Sequence, residues 1–137
     1  MDTEYAKEYG GVELWDALPI LLRRRQALKR LRKHLGPKLA AELATLPKGD
    51  IPHGDIGNRI YDFFLDEIYN KSKEVWSGVL VDPADEDNPD RRFSIWINEY
   101  EGVFYIGAVD YDAIGYFLRL SDAKTCMHCN WDNIRSA

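Results

Sequence analysis

Apolar residues recur at helical spacing through the first half of the chain and alternate at strand spacing through much of the second. Leu18, Leu21, Leu28, Leu31 and Leu35 keep the helical period, which predicts one helix from about Ala17 to Leu35. Asp16 is a suitable N-cap for it, and Pro19 then falls in the first turn, where a missing N–H costs nothing. Gly36-Pro37 is a strong stop, because glycine tolerates the left-handed conformation past a helix end and proline cannot continue the helix. Pro37 opens a second, shorter helix with Leu39, Leu43 and Leu46 along one side. The segment PKGDIPHGD is dense in turn formers and reads as a loop. Asp55 then caps a third helix, running to about Ser72, whose wide buried face is Ile56, Ile60, Phe63, Phe64 and Ile68.

The period changes near Val75. Val75 to Val81 reads as a strand with a bulge at Gly78. The segment Asp82 to Asp90, DPADEDNPD, holds two prolines and five acids and is expected to be an exposed loop. Arg92 to Glu99 alternates, with Phe93, Ile95 and Ile97 on one face and Ser94, Trp96 and Asn98 on the other. Glu101-Gly102 is a hairpin-turn signal, followed by a strand from Val103 to Val109 that is apolar on both faces and therefore central. Tyr111 to Ala113 reads as a turn and Ile114 to Leu120 as a further strand. Ser121 caps a last helix, with Ala123, Met127, Trp131 and Ile134 on one side.

Helices segregated from hairpin-linked strands predict an α+β fold: N-terminal helices, an antiparallel meander of three or four strands, and a C-terminal helix. At 137 residues the chain suits a single domain, 1–137, with a helical part over about 16–73 and the sheet plus closing helix over about 75–134. The longest apolar runs fall far short of the ~20 residues of a membrane helix. The acidic N-terminus carries no basic segment leading into an apolar one, so a cytoplasmic protein with reduced thiols is expected.

Composition adds little until the charge is divided. Hydrophobic residues are 45%, charged residues 30% and aromatics 12%, ordinary for a globular domain and too apolar for a disordered chain. The net charge of −5 hides a segregation. Arg23, Arg24, Arg25, Lys29, Arg30, Arg32, Lys33 and Lys38 are uninterrupted by any acid, which leaves ten bases against 23 acids elsewhere, a balance of −13. Such asymmetry bears on partners rather than on fold.

No catalytic set emerges. Cys126 and Cys129 form a CxxC enclosing His128, a spacing at which two thiolates can share a zinc ion. Only His34 and His53 remain as further sulfur or imidazole donors, and no second CxxC exists. The pair also lies more than a turn inside the expected helix, away from the N-terminus that activates a redox thiol. His53, between Asp50 and Asp55, sits in a turn-forming loop without a marked nucleophile. Neither GxGxxG nor GxxxxGK[ST] occurs, so no cofactor is expected and an enzyme is disfavoured. A small metal or redox protein built on Cys126 and Cys129 is the weakest alternative.

Two charged regions are candidate binding surfaces. Arg23, Arg24, Arg25, Arg30 and Lys33 on a helix would neutralise a phosphate backbone, giving a nucleic-acid-associated regulator or a second protein-binding face. Asp82, Asp85, Glu86, Asp87 and Asp90 share one loop, while Glu101, Asp110 and Asp112 lie at turns or strand ends beside Tyr100 and Tyr111. Aromatic anchors within a charged field suit protein binding, the rings giving affinity and the charge giving association rate.

The stretch FSIWINEYEGVFYIGAVDYDAIGYFLRLSDAKTC, residues 93–126, resembles the hairpin–strand–helix segments of small bacterial proteins of immunity or inhibitor type. EGVFYI, GYF and the Ser-Asp-Ala helix start carry the resemblance, which covers about a quarter of the chain and assigns no residue a role. It implies a binder that blocks another protein, a toxin or a subunit of a defence complex, by occlusion or by acidic mimicry of nucleic acid. An aromatic edge strand pairing with its own copy would also allow a homodimer.

Overall fold

The computed structural model describes residues 9–46, 51, 54–81, 92–108, 115–130 and 134–136. The described elements are α1 (Leu14–Leu21), α2 (Arg25–Ala44), α3 (Asp55–Lys71), β1 (Lys73–Val81), β2 (Arg92–Tyr100), β3 (Val103–Ala108), β4 (Tyr116–Phe117), α4 (Leu120–Asn130) and β5 (Ile134–Ser136). The fold is α+β, with helices first, then the antiparallel meander β1–β2–β3–β4, then a C-terminal helix. Two compact units divide it: the helical Leu14–Ser72, and the sheet with α4 and the residues preceding Leu14. Among the described residues no helix is long and apolar enough to cross a membrane.

In the helical unit the expected first helix is two. α1 buries Leu14, Ala17, Leu18 and Leu21, one face at i, i+3, i+4 and i+7. Pro19 lies in its second turn, so the Trp15 carbonyl lacks the bond a residue-19 amide would donate. The helix ends two residues later, and Arg24, at φ −86° and ψ 115°, is extended. Leucines on both sides of this break keep the helical period, so periodicity alone joins them. The expected stop at Gly36-Pro37 is present: α2 is two helical segments joined at a kink, where Gly36 leaves helical geometry at φ 84°, ψ 170° and a second segment resumes from Pro37. α1 and α2 both pack on α3. α3 begins after Gly54, with Asp55 in its first turn rather than at the cap, and buries Gly57, Ile60, Phe64, Glu67 and Ile68.

In the other unit the strand order is β4-β3-β2-β1-β5, with all pairs antiparallel. The β2–β3 hairpin turns at Glu101-Gly102, whose φ values of 49° and 77° are both positive, as a two-residue type I′ turn requires. Ile95, Ile97, Ile106 and Phe117 point to one face, where Ala123, Cys126 and Met127 of α4 cover them. The bulge in β1 falls between Glu74 and Trp76, leaving Val75 extra, whereas Gly78 is in continuous register with Ile95. β5 is a strand the periodicity missed: Ile134, expected on the closing helix, pairs instead with Leu80 of β1. Ser121 lies within α4, one residue past its start, and the expected strand at 114–120 reduces to Tyr116–Phe117. The loop at 82–90 and the turn at 111–113 lie outside the described residues, as do His53 and Trp131.

Candidate functional site

Of the ten acidic and tyrosine candidates, the described residues include Tyr100 and Glu101; Asp82, Asp85, Glu86, Asp87, Asp90, Asp110, Tyr111 and Asp112 lie outside them. Register nevertheless locates the strand ends from which those eight residues follow. Val81 pairs with Arg92, and Ala108 with Ile95. The residues leading into 82–91 and into 109–114 therefore lie at one end of the sheet. Tyr100 and Glu101 lie at the other, with β2 spanning roughly 26 Å between at ~3.3 Å per residue. Tyr100 pairs with Val103 across the hairpin and is only 4% exposed, so its ring is packed rather than presented. Glu101 is half-buried at the turn. Of the described positions, the strand ends at Val81, Arg92 and Ala108 lie at one end of the sheet, and Tyr100 and Glu101 lie at the other.

The sheet face away from α4 carries a second polar and aromatic group. Asn98 donates its side-chain amide to the Tyr105 hydroxyl at 2.9 Å, and the Tyr105 and Tyr116 rings lie 5.8 Å apart. Beside them Trp96 lies directly across from Gly107.

The basic run is largely solvent-facing. Arg23 and Arg24 occupy the turn between α1 and α2, their amides donating to the Ile20 and Leu21 carbonyls at 3.1 and 3.0 Å. Arg25, Lys29, Arg32 and Lys33 follow on α2 and Lys38 lies past its kink, all exposed like the first two. Arg30 differs. It flanks the buried stripe of Ala27, Leu31 and Leu35, and its Nε donates to Oε1 of Glu67, the buried acid of α3. Lys71 Nζ lies 3.7 Å from the same oxygen. Arg30 thus serves the packing of α2 on α3, while seven of the run's cations face solvent.

The CxxC is divided by its helix. Cys126 is buried in the apolar core under α4, and Cys129 is exposed. His128 is also exposed, its ring edge-on to Trp76 at 6.2 Å. His34 lies against Phe63 at 5.1 Å. Among the described residues no group of three or more His, Cys, Asp or Glu side chains could hold a metal ion.

One surface escaped sequence reasoning. Tyr61, Leu65 and Tyr69 follow at i, i+4 and i+8 along α3, bordering its buried face. Tyr69 is 83% exposed and Leu65 46%, while Trp15, 41% exposed, stacks on Tyr61 with centroids 4.8 Å apart and planes 22° from parallel. The signal was present as the repeat Tyr61-Asp62, Leu65-Asp66, apolar then acidic at helical spacing. Comparison with family models, curated proteins and solved structures finds no match to this chain.

Proposed function

We propose that the chain is a cytoplasmic, non-enzymatic inhibitor that binds and blocks another protein, as a toxin's immunity partner or an anti-defence protein does. The observation that carries this reading is the register. The strand ends flanking both acid-rich segments, 82–91 and 109–114, lie at one end of the sheet. Acid-rich segments that follow from the same sheet end suit a basic partner site, whether by occlusion or in place of nucleic acid, and would draw that partner by long-range attraction. Tyr111 is the aromatic anchor of this reading, and the buried Tyr100 supports the hairpin. The test is Asp85→Ser, Glu86→Ser and Asp87→Ser combined, used beside the wild type as bait in quantitative affinity purification. A protein retained by the wild type and lost with the variant is the expected result. Equal retention at low and high salt refutes the assignment.

A second reading is favoured by the exposure of Arg23, Arg24, Arg25 and Lys33: these cations bind a nucleic-acid backbone. It requires a mobility shift at low salt that collapses as salt rises, and an absent shift disposes of it. Arg30, whose Nε donates to Glu67, is not counted on that face in this reading.

A further inference from the structure

We propose that the Trp15, Tyr61, Leu65 and Tyr69 face of the helical unit seats an arginine-bearing helical segment of a partner protein. The inference rests on the reading of the chain as a protein binder, but uses residues of the helical unit alone. Its first support is exposure. Large apolar and aromatic side chains normally gather inside, yet along α3 Leu65 and Tyr69 are exposed in line with the half-buried Tyr61, and Trp15 beside Tyr61 is exposed too. A line at i, i+4 and i+8 is the shape that another helix matches along its length. Its second support is order. The stacked Trp15 and Tyr61 rings hold each other, so less rotamer freedom is lost when a partner covers them.

Charge chooses the occupant. Asp62 and Asp66 each follow a stripe residue by one position, and both are exposed, so the solvent side of the stripe is lined by carboxylates. On the other side, Lys71 and Arg30 engage Glu67. An apolar partner would leave the carboxylates to lose water without compensation. A guanidinium satisfies both halves of the surface, stacking its plane on tyrosine or tryptophan and donating two parallel N–H groups to a carboxylate. An ammonium supplies the charge without the fork, so arginine is preferred to lysine.

The test uses the full chain and labelled alanine-based helical peptides with arginine, lysine or glutamine at every fourth position. Anisotropy is read at low salt and at ~0.15 M, where screening acts over about 8 Å. The arginine peptide is expected to bind several-fold more tightly than the lysine peptide, and the glutamine peptide not measurably. Combined L65A and Y69A should weaken binding about tenfold or more, the scale of an aromatic anchor. D62N with D66N should flatten the salt dependence. These positions are exposed, and far-UV circular dichroism checks that the variants remain folded. Equal binding of the arginine and glutamine peptides, or no effect of L65A and Y69A, overturns the proposal. So does concentration-dependent self-association of the unliganded chain that L65A and Y69A abolish, since the occupant is then a second copy. Peptide binding should survive the Ser substitutions at Asp85, Glu86 and Asp87. Loss of peptide binding in that variant alone would leave the acidic sheet end standing and remove this surface.

Discussion

Gly107 is where a single methyl group should be felt most. The register sets it directly across from Trp96, and the indole lies over the space a side chain would use. A Cβ at this position would lie 2.4 Å from Trp96 Nε1, 2.7 Å from Cε2 and 3.0 Å from Cζ2. Ordinary contacts begin near 3.4 Å, so the ring must retreat by about 1 Å or leave the strand. Overpacking of this kind costs ~1–3 kcal/mol. Swinging the ring away instead would expose on the order of 100 Å² of apolar surface, or ~2.5 kcal/mol at ~25 cal/mol/Å². Both routes give about 2 kcal/mol. The backbone is not the obstacle, because Gly107 is not among the positive-φ glycines, and alanine is otherwise the better strand residue by ~0.5–1 kcal/mol. The effect should therefore reverse without the indole: G107A costs about 2 kcal/mol in the wild type and stabilises slightly in a W96A background. Urea unfolding followed by circular dichroism in all four members of the cycle measures the coupling. A coupling below about 0.5 kcal/mol would refute the steric account.

Three further outcomes follow from the packing. E67A removes the acceptor that Arg30 and Lys71 share and should cost about 1–3 kcal/mol by urea unfolding; the value stays below that of a fully buried pair because Arg30 is 31% exposed, and an R30A/E67A cycle without coupling would contradict the pairing. C126S puts a hydroxyl into the apolar core beneath α4 and should destabilise by ~1–3 kcal/mol, whereas C129S should be near neutral; in the native wild type a thiol reagent should titrate Cys129 rapidly and Cys126 only on unfolding. E101N places a residue tolerant of the left-handed region at φ 49° and should stabilise the hairpin by roughly 0.5 kcal/mol, so a lower midpoint for that variant would count against a type I′ turn.

What was legible in the sequence was local. The turn at Glu101-Gly102 follows from two residues and the alternation before them, and the kink at Gly36-Pro37 follows from the dipeptide alone. β5 was not legible, because Ile134 follows Met127 by seven residues and fits the helical period equally well; only the open edge of β1 assigns it to a strand. The bulge was misplaced for a related reason. Glycine marks where a bulge is easy, but register decides where it occurs, and the extra residue is Val75. The break between α1 and α2 was invisible because leucines on both sides of it keep one period.

The candidate site divides along the same line. Charge could be counted from the sequence, but its placement depends on strand pairing. Only the register separates Glu101 from the strand ends leading to Asp82–Asp90 and Asp110–Asp112, and only packing turns Tyr100 inward. Arg30 carries the same lesson for the basic run. Eight cations between Arg23 and Lys38, with no acid among them, read as one solvated face, yet the one beside the Ala27–Leu31–Leu35 stripe is drawn to the buried Glu67. The α3 surface was missed for the converse reason. Periodicity finds the residues a helix buries, and it passes over Tyr61, Leu65 and Tyr69, which border that face without forming its centre. Exposure distinguishes the two, and it makes aromatic side chains available that the net charge of −5 never indicated. The helical unit therefore carries a cationic and an aromatic-acidic set of side chains, and the proposed acidic site is a third candidate for a partner. Substitutions confined to one of them at a time should show which of the three it uses.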